Sequence, residues 1–313
     1  MAARRSLRTR IATSIATAAV ACGAVLCAVA PATADTDPVP EISDPLPAVE
    51  VTRECRGVVD LGARKRKRLV RLTAPSRLDG LRPIRALRRG ERIMARVAPV
   101  LLAAEDRRGI FALFYNNILG KAVPALGAGS ADRYDDLGWS RLVSITFFRP
   151  YLEGLHASLA GTAIPVNWRP YYRMAADCSV RPGRVAMAGL DAHLILDFPV
   201  AIAESGATQA NFDDYYAIGE LLQDATLDIG EDLRLIYGAD LTEFFHLWFL
   251  GDALDAVVGS GVTTTLLFQG IRTVAFTYGL GLGEHALLTR VAMKGTYVAA
   301  ETVSDALACA EII

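Results

Sequence analysis

What most constrains this chain is a series of apolar runs with helical spacing, several of them apolar on more than one side. Ile93, Val97 and Val100-Leu101 recur about once per helical turn, and Ile110-Phe111, Phe114 and Ile118 repeat the pattern up to Gly120. Leu142–Leu159 is long, aromatic and apolar. A break is expected in it at Arg149-Pro150, because proline lacks an N–H and crowds the preceding turn. Val185–Glu204 reads as another apolar helix, and Asn211 reads as the cap of a helix opening on Phe212-Asp213-Asp214. Asp240 and Glu243 form a cap-box-like pair ahead of "FFHLWFLGDALDAVV". The last fifty residues give two or three more helices, divided near Gly259-Ser260-Gly261 and "YGLGLGEH". Helices without a polar face must be buried among others, so the pattern predicts an all-α fold. The expected architecture is a single orthogonal or bundled multi-helix domain over residues 81–313. Hydrophobic residues make up 52% of the chain, enough to fill such a core. Strand-like alternation is weak throughout; "VTTTLLF" comes nearest to it.

The first 34 residues read as a leader and not as part of the fold. Arg4, Arg5, Arg8 and Arg10 form a positive head, Ile11–Ala30 is apolar, and Ala32-Thr33-Ala34 is a small-residue exit. The pattern predicts export, with signal-peptide cleavage near Ala34; a retained membrane anchor is the other reading. Residues 35–80 are expected to be a proline-rich, then basic, linker or arm. Its first part, residues 35–51, holds four prolines and five acids. Export leaves Cys55, Cys178 and Cys309 for the mature protein. One disulfide with one thiol left over is then expected, the pairing open, against a reading of three buried thiols.

Charge is distributed very unevenly. Residues 52–96 carry fifteen bases against four acids, and residues 97–313 carry 14 bases against 25 acids, so the formal net of −1 hides a strongly dipolar chain. The basic segment lacks interleaved aromatics and any recognition motif, so no nucleic acid is expected as a partner. It can lie on the acidic part of its own chain. It can also meet an anionic membrane surface or wall polymer, or remain simply solvated.

Familiar catalytic signatures are missing: there is no G-x-S-x-G, H-E-x-x-H, P-loop or G-x-G-x-x-G. The four histidines are His156, His193, His246 and His285. His193 and Asp197, in "GLDAHLILDFPV", are four apart and share a helix face, where a carboxylate can orient an imidazole. Asp197 has a second reading, as the cap of a new helix beginning at Phe198-Pro199. Asp191 points elsewhere on a regular helix. His156 lies on an apolar stripe with Leu152, Leu155 and Leu159, a common setting for a hydrogen-bonded core histidine. His246 is similarly ambiguous, and Asp252 and Asp255 form a carboxylate pair on the same run.

The segments "GIFALFYNNI", "GWSRLVSITFFRPYLEGL", "VNWRPYYRMA", "RVAMAGLDAHLILDFPVAI" and "FDDYYAIGELL", in this order, resemble the family filed as domain of unknown function 5995. Its pattern is N-A-H-I-N-x-D-L-P, preceded by W-R-P and followed by D-D-Y. Here Ala192, His193, Asp197, Pro199, Trp168-Arg169-Pro170 and Asp213-Asp214-Tyr215 match. Asp191 and Ile195 stand where the pattern has asparagines, and Phe198 replaces its leucine. The resemblance covers residues 105–255 and implies a mostly helical domain without an assigned activity.

Two functional readings follow. In one, the protein is an exported helical enzyme, a hydrolase or a metal-dependent oxidase, with an apolar or amphiphilic small molecule as substrate. His193, Asp197 and His156 are then the catalytic candidates, and Asp191, Trp168, Arg169, Asp214 and Tyr215 the substrate-binding ones. A divalent metal is the cofactor this reading admits. In the other, the protein is a non-catalytic cell-envelope protein that binds an apolar ligand, or an anionic surface through residues 52–96. His193 and Asp197 are then a buried polar pair.

Overall fold

The computed structural model describes residues 55–239, 241, 262–311 and 313. The leader with its exit at Ala34, the proline-rich stretch, His246, Asp252, Asp255, the cap-box pair and the Gly259-Ser260-Gly261 divider lie outside the described residues. Residues 56–313 form one compact unit, and the described part is all-α, with ten α-helices and no strand. They are α1 (Ala63–Thr73), α2 (Pro83–Ala103), α3 (Gly109–Ala125), α4 (Leu137–Ala160), α5 (Arg169–Ala176), α6 (Pro182–Asp191), α7 (Phe198–Glu204), α8 (Phe212–Tyr237), α9 (Val262–Glu284) and α10 (Ala286–Cys309). A π-helical turn, Ala192–Asp197, joins α6 to α7 without a break.

The centre is built from two segments that are buried residue after residue. In α3, Gly109 to Tyr115 are buried one after another, so every face of its first two turns is covered. In α6, Gly183 to Gly189 are likewise buried in succession. Helix α3 packs against α2 and α8; α6 packs against α5 and α10; α7 lies on α9; and α1 and α2 both lie on α4. The stretch Pro182–Glu204 is long and apolar enough to cross a membrane, but it is mostly buried and serves as a core helix. At Gly189 an added Cβ would fall 2.5 Å from the Phe111 ring, so the close approach of α6 to α3 requires glycine there.

The last helices divide at His285, the end of "YGLGLGEH", as expected, and "VTTTLLF" opens α9. Two expectations are corrected. Helix α4 runs unbroken through Pro150, with Phe148, Tyr151 and Leu152 buried on both sides of the proline. The basic arm is not a linker up to residue 80. The Arg107 N–H donates to the Gly57 carbonyl (2.9 Å) and the Val59 N–H to Asp106 (3.2 Å). From there α1 buries Leu69 and Thr73 on an otherwise basic helix. Cys55 and Cys178 are disulfide-bonded, and Cys309 is a free, exposed thiol.

Candidate functional site

The π turn is the local origin of the site. Pro199 has no N–H to return to the carbonyl four residues back, and the chain widens by one residue instead of ending the helix. The Phe198 N–H donates to the carbonyl of His193, five residues earlier. This wider turn sets His193 and Asp197 on one side. Asp197 makes no cap bond, contrary to its capping role on paper; its carboxylate points inward.

There Asp197 collects three donors. Asn167 Nδ2 donates to Oδ1 at 3.0 Å, Trp168 Nε1 to Oδ2 at 2.9 Å, and His193 Nδ1 to Oδ2 at 3.2 Å. This places the His193 proton on Nδ1 and leaves Nε2 as an acceptor, which takes the hydroxyl of Tyr115. Rings close the remaining sides. Phe147 stacks on the imidazole with centroids 3.7 Å apart, and Phe111, Tyr115 and Trp168 surround it at 5.4–5.6 Å. His193 is 4% exposed. Burial pushes its pKa below the usual histidine value against the opposing pull of Asp197, so the imidazole is neutral. Burial, and then the Asp197 charge, holds the Tyr115 phenol well above its ordinary range.

Chemically, this is a closed relay: phenol to imidazole to carboxylate. The only lone pair His193 could use as a base is occupied by Tyr115. Two surface clefts, one over Phe212 and Tyr216 and one over Arg66 and Val70, are lined by none of these residues. Among the described residues, no group of three or more His, Cys, Asp or Glu side chains is placed to hold a metal ion.

Of the sequence candidates, the fold brings together His193, Asp197 and Trp168. His156 is half-buried at the α1–α4 contact, where its Nδ1 meets the Thr73 hydroxyl at 3.2 Å. Asp191 joins α6 to α10: it accepts from Ser304 Oγ (3.1 Å) and adjoins Glu301, which is paired with Arg184 (2.8 Å). Burial and then Glu301 raise the Asp191 pKa well above its usual value, which favours its protonated, uncharged form. Asp214 accepts the backbone N–H groups of Asp135 and Asp136, both at 2.7 Å, and pins the loop before α4. Tyr215 donates to the Arg272 carbonyl (2.7 Å) and lies under the buried Arg272 guanidinium, 4.2 Å from ring centre to carbon. Arg169 is exposed and donates to the Ile164 carbonyl (3.1 Å). These five residues make separate contacts and do not meet at one pocket.

Sequence reasoning missed Tyr115, Asn167 and Phe147. Tyr115 stands in "GIFALFYNNI", where a phenol four residues after Phe111 breaks an apolar run, and that was the available signal. Asn167 immediately precedes Trp168. Phe147 carries no signal, since it is one aromatic among many in α4.

The model of a family of unknown function, DUF5995, matches residues 91–264, more than half of the chain. Comparison with curated proteins and with solved structures gave no match.

Proposed function

The chain belongs to the DUF5995 family, and we propose that this member is an exported, non-catalytic protein that binds an anionic surface through α1 and α2. One observation carries the reading. Eleven cations of this region are exposed: Arg64, Lys65, Arg66, Lys67, Arg68 and Arg71 on α1, with Arg82 just before α2 and Arg85, Arg88, Arg92 and Arg96 along it. None forms an ion pair among the described residues, whereas Arg133, Arg149, Arg181, Arg184 and Arg234 elsewhere all do. The two helices touch each other and share α4 as a base, so their charges are neighbours in space. A field of unpaired cations on rigid helices attracts phosphate-bearing surfaces, at about 1 kcal/mol per cation near an anionic bilayer.

Export supports this reading and is part of it. The leader pattern supplies a route out of the cell, and disulfide-bonded Cys55 and Cys178 fit an oxidising compartment. A hydrolase or metal-dependent enzyme finds less support. His193 is sealed, its free lone pair is taken, and the other candidate groups are dispersed.

The test is sedimentation with phosphatidylcholine vesicles with and without phosphatidylglycerol, and with a soluble glycerol-phosphate polymer. Binding should require the anionic component and weaken steeply with salt. The triple reversal K65E/K67E/R68E should weaken it by more than about 100-fold, at roughly 1 kcal/mol or more per altered charge. Binding that ignores salt and the triple reversal would overturn the proposal.

A further inference from the structure

Helix α10 carries an apolar stripe facing solvent. Leu287, Leu288, Val291 and Val298 are 77%, 72%, 64% and 55% exposed. The opposite side is anchored: Thr289, Met293 and Ser304 are buried, Thr296 bonds Tyr278 of α9 (2.7 Å), and Glu301 is held by Arg184 of α6. The orientation is therefore fixed, and the leucines cannot turn inward. Leu287, Val291, Lys294 and Val298 follow a four-three-four spacing, which draws one line along the helix. Two exposed cations, Arg290 and Lys294, stand among these apolar side chains. The acids of the helix, Glu301 and Asp305, are confined to its last turns, where both pair with Arg184.

We propose that the first half of α10 inserts edge-on into the interface of an anionic lipid bilayer. This proposal rests on the anionic-surface reading and narrows it to lipid. A wall polymer offers phosphate charge but no apolar phase to receive leucines. A bilayer offers both, and apolar residues interleaved with lysine and arginine are what an in-plane helix needs. The long stem of Lys294 can lie in the apolar zone while its ammonium reaches the phosphate level. The span from Ala286 to Val298 is ~20 Å long at 1.5 Å per residue, so it can lie in the interface but not cross the hydrocarbon core. The acids near the C-terminal end of α10 favour a tilt that carries Leu287 and Leu288 deepest.

Two variants of the full chain test this on the same vesicles at high salt, where attraction through α1 and α2 is screened. The wild type should keep residual binding to phosphatidylglycerol-containing vesicles. The triple variant L287S/L288S/V291S should bind roughly 10- to 100-fold more weakly, the scale of losing partial burial of three aliphatic side chains. L288W should bind more tightly, with tryptophan emission shifting to the blue on binding, since tryptophan favours the interface. These positions are exposed, so folding is not at stake. If the serine variant binds like the wild type while K65E/K67E/R68E does not bind, insertion is wrong and the charge reading stands. Binding to the glycerol-phosphate polymer without binding to vesicles has the same meaning. A wild-type protein that self-associates, and loses this with the serine substitutions, would assign the stripe to a second copy and overturn the proposal. If neither variant changes binding, both readings fall.

Discussion

Around His193 the polar side chains of Tyr115, Trp168 and Asp197 all have internal partners, whereas the eleven exposed cations on and beside α1 and α2 form no ion pair among the described residues. Both regions hold more polarity than their surroundings would ordinarily contain. The first is an unusually polar patch inside a core, and the second is an unusually basic face on a chain with a net charge of −1. The Tyr115–His193–Asp197 chain resolves its polarity by closing hydrogen bonds on itself. The surface leaves its charges open, and open charges are the ones available to a partner. A buried histidine with an aspartate four residues on looks like chemistry in one dimension; in three, the exterior has more left to offer.

That contrast can be broken by experiment, and the largest effect is expected at Asp197. Asp197→Ala leaves the Asn167, Trp168 and His193 donors without their acceptor in a dry site. It should cost roughly 3–5 kcal/mol in urea unfolding while leaving salt-sensitive surface binding intact. Loss of binding in a variant that remains folded would mean that the core is not merely structural. Tyr115→Phe strands the Nε2 acceptor of His193 and should cost about 1–3 kcal/mol by the same measurement.

Acidity separates two buried groups by sign. The folded-state pKa of His193 is depressed, so its contribution is complete above the unfolded value of 6.5 and is lost as pH falls from there toward the folded value. Asp191 behaves in the opposite way. Its folded pKa is raised, so its contribution is full below 3.8 and disappears as pH climbs through the folded value. Asp191→Asn restores the residue type of the family pattern and supplies an N–H donor to Glu301 at every pH. Its melting temperature should therefore exceed the wild type's increasingly as pH rises from 4 to 8. A constant offset between the two profiles would contradict the raised pKa of Asp191.

Smaller effects finish the series. The Tyr151 hydroxyl is buried with no hydrogen-bond partner among the described residues, and its ring stacks on Tyr115 at 4.7 Å. Tyr151→Phe should leave stability unchanged or raise it by up to about 1 kcal/mol. The reversal K65E/K67E/R68E should shift unfolding by no more than about 0.5 kcal/mol, as exposed substitutions away from caps and pairs usually do. A larger loss would mean that the basic face holds the fold together.

Helix content was legible because burial on several faces writes itself as unbroken apolar runs, as in Ile110–Tyr115 and Val185–Gly189. Pro150 misled because the rule for proline is local, while the helix around it is held from both sides by Phe148 and Tyr151. Pro199 misled in a subtler way. A proline can end a helix or widen one turn of it, and nothing in "LILDFPV" distinguishes the two. Pairing His193 with Asp197 needed only their spacing. Finding Tyr115 required knowing that α3 and α6 cross where Gly189 meets Phe111, a contact between residues 78 positions apart in the chain. Asp191 looked like a site residue because it is close to His193 in sequence, and Asp214 and Tyr215 because they fill the D-D-Y segment of the family pattern. Their partners, Ser304, the amides of Asp135 and Asp136, and Arg272, lie in segments that the local sequence cannot connect to them.

The π turn at Ala192–Asp197 also fixes phase. It holds one residue more than an α-helical turn, and in a helix one residue corresponds to a rotation of about 100°. Remove that residue and α6 and α7 would still form one helix, of nearly the same length, but everything after the deletion would face another way. Phe198 would leave the Phe147 ring it stacks on, 4.0 Å away, and Ile202 would swing out of the seat provided by Gly279 of α9. The extra residue therefore works as a clutch plate between two halves of the molecule: a single-codon deletion there would disengage α7 from α9 without breaking a single helix.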